Sequence, residues 1–339
     1  MFVSEPRIFC LMSVLSRLRL IFCLSINSWR CWLLGALLLW GSAVPPALAQ
    51  FQVLGRKPAV WPVDVSTSAA QLADPPAVRA LLFQAAALAN QFKDSEALAV
   101  YQEVLKRNAS HYLSLWQAAV LSVKIGSRYS DETRKAAYFD AGRQYADRAL
   151  LLRPEGGESN YAVALTMFSQ ATLYRAGARL ETFHDLRSHV YLATERRPDL
   201  PEAWGLLGRW QYRVAHYNLL ERLYSKLVLG GVPAGGDSRE AMADLEKARE
   251  LAPLNLQFCY DLARMYVYQG RRQRAIGLLQ EAERIPPLTS DDLVVSRLCR
   301  KLLPPLLRAD ARRQKRRRGI IPSAHVISGA GTNVASPKE

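Results

Sequence analysis

The fold is decided by the stretch Ser238–Pro253, which reads SREAMADLEKARELAP. Moved 34 residues along the chain, this stretch falls on RQRAIGLLQEAERIPP, which ends at Pro287. The two copies share three apolar positions and the final proline, namely Ala241 with Ala275, Leu245 with Leu279, Ala248 with Ala282 and Pro253 with Pro287. In the second copy the apolar residues are spaced i, i+3, i+4 and i+7, which places them on one face of a helix.

The repeated unit predicts a stack of helix pairs. Alanines at two of the shared positions let a neighbouring helix approach closely, and the proline ends each helix before the next unit begins. A 34-residue unit of two antiparallel helices is typical of the tetratricopeptide repeat. We therefore predict an all-α fold, a tetratricopeptide-repeat α-solenoid of about five helix pairs with insertions and a C-terminal capping helix.

Earlier copies are less regular and contain insertions. The helix ALAVYQEVLKRN carries Ala97, Val100, Tyr101 and Val104 on one face, and other copies end at Pro154 and Pro198. The longer insertion reads LLERLYSKLVLGGVPAGGDS, and its leucines at 219, 223 and 227 predict that the preceding helix continues. Gly230 and Gly231 would end that helix, Asp237 with Glu240 would form a capping box for the next one, and the capping helix is expected to stop at Pro304-Pro305.

The N-terminal segment 1–49 has the pattern of a signal peptide. Arg17, Arg19 and Arg30 precede an apolar run from Trp32 to Val44, followed by Ala47-Leu48-Ala49. A run of this length is shorter than the roughly 20 residues that span a bilayer. We therefore predict a periplasmic or secreted protein, with an uncleaved N-terminal membrane anchor as the alternative. Residues 50–70 are interpreted as a linker, 71–308 as the solenoid and 309–339 as a disordered basic tail.

Charge is concentrated at the ends of the chain. Of the formal net charge of +15, the first 49 residues carry +3 and the residues from Arg308 onward carry +6. Six of the seven residues in Arg312–Arg318 are basic, so this segment is expected to contact anionic lipid or to act as a solubilising tail. An exported chain would rarely meet nucleic acid, so that partner is not expected.

Nothing in the sequence predicts an enzyme. HExxH, GxSxG, a Walker loop and a GxGxxG opening a helix after a strand are all missing, and no metal-ligand or CxxC spacing is found beyond the leader. We predict no catalytic residues, no metal and no cofactor. Cys259 and Cys299 are either one disulfide or, as we favour, two small buried side chains.

The first helix of each repeat is expected to line the concave face. With Trp204 and Cys259 placed at the fourth position of the last two repeats, the predicted groove residues are Arg209, Tyr212, Arg213, Tyr260, Arg264 and Tyr268. Tyrosine and arginine are enriched at binding hot spots, so a partner with acidic groups or an anionic lipid headgroup is expected there. In the alternative, these arginines pair with nearby acidic side chains on a solvated face.

The most specific signal spans the last repeats. Trp204, Leu207 and Gly208 match the W-x2-L-G opening of a repeat, although Gln211 stands where tyrosine is usual. LERLYSKLVLGG, DSREAMADLEKARELAP and PPLTSDDLVVSRLCRKLL follow this opening. Together these segments carry a resemblance to the regulator-of-microtubule-dynamics family, and the resemblance covers residues 80–305.

The resemblance implies a tetratricopeptide-like helical domain. Animal members of the family include microtubule-associated proteins and a membrane-contact tether whose helical domain is implicated in lipid binding. We expect an exported scaffold that binds a protein or peptide in its groove. The alternative is a lipid or small-ligand carrier in which the inserted segment closes over an apolar cleft.

Overall fold

The structure is a computed structural model that describes residues 74–320, with side chains up to Arg316. This part of the chain contains twelve helices and no strand, so the predicted all-α solenoid is confirmed. The helices are α1 (Pro76–Asn90), α2 (Asp94–Arg107), α3 (Tyr112–Ser127), α4 (Glu132–Leu152), α5 (Gly157–Gln170), α6 (Ala176–Arg196), α7 (Pro201–Ala215), α8 (Leu219–Val228), α9 (Ser238–Leu251), α10 (Leu256–Tyr268), α11 (Arg272–Arg284) and α12 (Ser290–Ile320).

Ten of these helices form five successive pairs. The pairs are α1 with α2, α3 with α4, α5 with α6, α7 with α9, and α10 with α11, and each pair packs on the next. The prolines that mark the repeats fall two or three residues past the ends of α4, α6, α9 and α11. A proline disfavours the helical conformation of the residue before it, so each second helix ends where the sequence predicts.

The core runs along the stack as three adjoining clusters of buried apolar side chains. Trp116 and Tyr145 pack against both the first and the second cluster, and Trp204 packs against both the second and the third. Trp210 is fully buried at the centre of the second cluster, and its indole Nε1 donates to the carbonyl oxygen of Phe183 at 2.8 Å. The pairs are therefore held together by shared aromatic side chains as well as by the small residues of the repeat.

The insertion differs from the prediction. The preceding helix does not continue, because α7 ends at Ala215 and a separate helix, α8, begins at Leu219. Asn218 separates the two helices because it caps the start of α8. Its side chain accepts a hydrogen bond from the Glu221 N–H, and the Glu221 side chain accepts one from the Asn218 N–H. The capping box expected at Asp237 is wrong in detail, since Asp237 accepts from the Arg239 N–H without the reciprocal contact.

The capping helix also differs. It begins at Ser290, where Thr289 and Asp292 exchange side-chain to backbone hydrogen bonds. It does not stop at the prolines but passes through Pro304 and Pro305 and continues to Ile320. The prolines fail to stop it because Leu303 and Leu306 on either side are buried against the last pair. Residues 309–320 are therefore helical and not part of a disordered tail.

Several expectations lie outside the described residues. The segments 1–49 and 50–70, and residues 321–339, are among them. Within residues 74–320 no helix is both long enough and apolar enough to cross a membrane.

Candidate binding groove

The six predicted groove residues lie on α7 and α10, the first helices of the fourth and fifth pairs. Arg209, Tyr212 and Arg213 are half-buried on α7, whereas Arg264 and Tyr268 on α10 are exposed. The two helices flank one another in the stack, and Tyr212 of α7 packs against the core cluster that α10 helps to form. The structure brings Tyr212 next to Tyr268 and Arg264 next to Tyr260, whereas Arg213 is engaged with α8.

Tyr212 and Tyr268 meet in an aromatic cluster that also contains His216. The ring of His216 lies 4.1 Å from that of Tyr212 and 4.4 Å from that of Tyr268, and the two tyrosine rings are 6.1 Å apart, edge to face. His216 is fixed because its Nδ1 hydrogen bonds to the Tyr212 carbonyl oxygen at 2.7 Å. Tyr268 keeps 67% of its surface exposed, so the cluster is anchored on one side and open on the other.

Arg264 is the free cation beside this cluster. Its guanidinium carbon lies 5.6 Å from the centre of the Tyr260 ring, which is a cation–π contact, and it forms no ion pair with any described residue. Burial and the neighbouring Tyr268 raise the pKa of Tyr212, while Arg264 acts in the opposite direction. Tyr212 therefore stays a neutral hydroxyl donor and acceptor at physiological pH.

Arg209 bridges three helices. Its Nε donates to the Gly205 carbonyl oxygen at 3.2 Å and lies 4.0 Å from an Asp261 carboxylate oxygen on α10, while its guanidinium faces the Phe168 ring of α5. Asp261 is held in turn by the Gln257 amide at 2.9 Å. Arg209 is thus partly neutralised, and it positions the groove wall more than it offers a free charge.

Arg213 is engaged with a carboxylate instead of being free in the groove. Both of its terminal nitrogens donate to Glu221 of α8, and its guanidinium faces Tyr217 and Phe183. Burial acts to raise the pKa of Glu221, but the hydrogen bonds from Arg213 and the Asn218 N–H outweigh it and lower that pKa. The alternative prediction, an arginine paired with a nearby acidic side chain, therefore describes Arg213. Its partner, Glu221, lies eight residues further along the chain on α8, which the sequence did not predict as a separate helix.

Sequence reasoning missed His216 and Phe168. His216 belongs to no motif recognised in the sequence, although its position four residues after Tyr212 puts it on the same helix face. Phe168 belongs to the third pair, whose first helix lacks the aromatic repeat signature. Its contact with Arg209 follows from the stacking of pairs, which no local pattern encodes.

The two cysteines and the acidic side chains form no metal site in the described part of the chain. Cys259 and Cys299 are free thiols buried in the same core cluster, and burial raises the pKa of Cys299 to about 11. No group of three or more potential metal-binding side chains is found among residues 74–316.

The family model described as regulator of microtubule dynamics protein 1-3 matches residues 81–307. The chain belongs to this family. The match begins within α1 and covers the rest of the five helix pairs and the capping helix as far as Leu307, so it includes the groove and the inserted helix. The resemblance seen in the sequence is confirmed.

Curated relatives in this family are distant in sequence. Regulator of microtubule dynamics protein 3 from Rattus norvegicus is 26% identical over 179 residues, which is 52% of this chain and 38% of the relative. Protein 2 from Macaca fascicularis is 24% identical over 176 residues, covering 51% of this chain and 42% of the relative. The chain therefore spans about two fifths of the length of the relatives it matches.

Solved structures of tetratricopeptide-repeat proteins are similar at low identity. A thermophilic protein of this class from Thermus thermophilus has a TM-score of 0.48 and 15% identity, covering 66% of this chain and all of that one. MamA has a TM-score of 0.35 and 13% identity, covering 61% of this chain and 90% of that one. Scores below 0.5 establish nothing about function, and the helix order described above is what defines the solenoid.

The predicted periplasmic or secreted localisation is wrong. The relatives are animal proteins named as regulators of microtubule dynamics, and the family match covers most of the chain. The prediction relied on the local composition of residues 1–49, which lie outside the described residues. The argument against nucleic acid depended on export and loses its support with it.

Proposed function

We propose that this chain is a non-catalytic binding module that holds a segment of a partner protein against the groove of α7 and α10. The observation that carries the proposal is Arg264, an exposed guanidinium with no acidic partner among the described residues, beside the exposed Tyr268. Tyrosine and arginine together supply stiff contact area and a forked set of donors, which is what hot spots use.

The polarity of the groove favours a partner segment with a carboxylate and an apolar side chain. A carboxylate can accept from the free Arg264, whereas Arg209 and Arg213 are already partnered by Asp261 and Glu221. An apolar or aromatic side chain can pack on the open side of the cluster of Tyr212, His216 and Tyr268. The names of the relatives make microtubule proteins the first partners to test.

The experiment compares a groove variant with a matched surface variant. The full chain, the Arg264→Gln/Tyr268→Ala variant and the control Arg284→Gln/Tyr174→Ala are immobilised and exposed to a cell extract and, separately, to assembled microtubules. Each double variant removes one exposed arginine and one exposed tyrosine, so the loss of charge is equal and each variant loses one exposed aromatic ring. Each captured protein is then purified and its Kd measured by calorimetry.

A partner that binds the control normally and the groove variant at least about tenfold more weakly supports the proposal. Equal binding to all three chains rules it out. The carrier alternative would require an enclosed apolar cavity, and native mass spectrometry would then show a lipid mass that leaves on denaturation. The cleft at the start of α11, by contrast, is lined mainly by charged and polar side chains.

A further inference from the structure

A basic cleft lies where the turn after α10 meets the far end of α12. It encloses about 440 Å³ and is lined by Gly270, Arg271, Arg272, Gln273, Arg274, Asp310, Arg313 and Gln314. Four arginines from two separate elements therefore face one small volume. Nothing in the groove proposal uses them.

The turn that carries three of these arginines is fixed by its backbone. Gly270 has a φ of +72°, a backbone conformation that residues with a side chain rarely adopt. The Arg271 N–H donates to the Tyr266 carbonyl oxygen at 2.8 Å. The chain then enters α11 at once, so Arg271 and Arg272 leave the backbone at defined positions. The cleft is therefore built on a helix-ending turn and not on a loose loop.

The charges in the cleft are not compensated within the described residues. Arg271, Arg272 and Arg313 form no ion pair with them, and Arg274 lies over the Tyr266 ring at 5.9 Å. Asp310, the acidic residue of the lining, accepts from the amides of Gln273 and Gln314, the latter at 2.7 Å. Its carboxylate is thus held by neutral donors, and the guanidinium groups stay available.

One further feature makes the uncompensated charge unfavourable without a ligand. The first turn of α11 has no acidic residue and no side-chain cap, although cations near a helix N-terminus oppose the helix dipole. An anion placed in the cleft would relieve this.

We infer that this cleft binds an acidic polypeptide segment, whose aspartate or glutamate carboxylates are held by Arg271, Arg272 and Arg313. Guanidinium groups match carboxylates with paired hydrogen bonds, so a few acidic side chains in an extended segment suffice. The site is separate from the groove, since none of its eight lining residues belongs to the set proposed there.

Other polyanions fit the lining less well. No aromatic ring lines the cleft, so nucleic-acid bases would find no surface on which to stack. No apolar side chain lines it either, so a lipid surface would be held by charge alone. Asp310 would repel an unbroken row of phosphates, whereas a peptide can place a neutral residue opposite it.

The test measures fluorescence anisotropy of a labelled decapeptide of alternating glutamate and glycine with the full chain. The variant Arg271→Gln/Arg272→Gln/Arg313→Gln removes three charges from the cleft. The control Arg79→Gln/Arg239→Gln/Arg284→Gln removes three exposed arginines elsewhere that have no acidic partner among the described residues. Circular dichroism melting checks that both variants fold.

We expect the cleft variant to bind at least about tenfold more weakly and the control to lose less than about twofold, with the difference shrinking in high salt. Equal losses in the two variants would mean that only net charge matters and would overturn the inference. Tighter binding of a ten-nucleotide single strand, or of vesicles containing phosphatidylserine, would overturn it in favour of those partners. A separate capture experiment tests the groove, so failure of one proposal leaves the other standing.

Discussion

Gly208 stands where two helices of the fourth pair cross. A Cβ atom at this position would lie 2.7 Å from the Ala241 carbonyl oxygen and 2.9 Å from Leu245 Cγ, both on α9. Backbone cannot give way as the end of a flexible side chain can. The glycine of the repeat opening is therefore needed for close approach of α7 and α9, and not for an unusual backbone angle.

Gly208→Ala is expected to destabilise the fold by about 1–3 kcal/mol, because the added methyl forces the crossing apart. Gly277→Ala is the matched control, since Gly277 also lies within a helix but a Cβ there meets nothing within 4 Å. That control should be stabilised by about 0.5–1 kcal/mol through helix propensity. Urea unfolding followed by circular dichroism measures both, and equal effects in the two variants would contradict the steric argument.

Asp244 makes stability depend on pH in an unusual direction. Burial raises its pKa to about 6, partly offset by a hydrogen bond with Gln211. Because the folded-state pKa is higher than the ordinary value of 3.8, this residue favours folding most at low pH, and the advantage is lost as pH rises to about 6.

Asp244→Asn is therefore expected to raise the melting temperature by a few degrees at pH 8 and to change it little at pH 4, where the wild-type carboxyl is protonated in the fold. The amide of asparagine supplies a neutral donor in place of the ionised carboxylate. Thermal melts of both chains between pH 4 and pH 8 measure the difference. A gap that does not widen with pH would show that Asp244 is solvated as a charge.

At the scale of the element, α8 is held mainly by polar contacts, with Tyr224 packing against the second core cluster. Its buried residues are Glu221 and Ser225, while Leu219, Leu223 and Leu227 keep 80%, 50% and 74% of their surface exposed. The leucine spacing does mark one face of a helix, as predicted, but in α8 that face is exposed to solvent. The ion pair between Glu221 and Arg213 is then the main link from α8 to α7.

Glu221→Gln is expected to release α8 locally, which should speed protease cleavage between Leu229 and Gly236 by on the order of tenfold. Leu227→Ser, the control, should leave the cleavage rate unchanged because that leucine is exposed. The lowered pKa of Glu221 adds a pH effect, since its contribution is present above the ordinary value of 4.5 and is lost as pH falls through the lower folded value. Faster cleavage of the leucine variant would refute this account.

At the scale of the whole molecule, one arginine connects the beginning of the solenoid with its end. Arg128, just past α3, donates to the buried Asp94 at the start of α2 and, through Nε at 2.9 Å, to Asp291 in the first turn of α12. Lys124 also donates to Asp94, at 2.9 Å. The five-pair stack therefore turns far enough to bring residues 163 positions apart into contact.

The carboxylates of Asp94 and Asp291 should contribute unequally to the free energy of unfolding. Asp94→Asn removes a carboxylate that is 1% exposed and should cost about 1–3 kcal/mol. Asp291→Asn should lower the free energy of unfolding by less than about 1 kcal/mol, because the Asp291 side chain is 40% exposed. That loss should disappear in about 0.5 M salt. Urea unfolding at two salt concentrations tests the pair. A larger loss for Asp291 would mean that closure of the stack, and not the buried carboxylate, dominates.

Local pattern predicted the parts of this molecule that depend on neighbouring residues. The repeat spacing between Ala241 and Ala275, the prolines after α4, α6, α9 and α11, and the tyrosines of the groove all come from periodicity within one helix or one pair. These features are local because a helix face and a helix end are set within a few residues. The stop expected at Pro304 failed because buried leucines on both sides outweigh the proline.

Only the tertiary structure decided which charges are free. Arg213 and Arg264 look alike in the sequence, yet Arg213 is paired with Glu221 across a turn and Arg264 has no acidic partner among the described residues. The meeting of Arg271 with Arg313, and of Arg128 with Asp291, likewise depends on where distant helices lie. Those positions result from the rotation of each helix pair relative to the next, summed along the stack. Side-chain packing along the whole stack sets this rotation, so no single segment of the sequence predicts it.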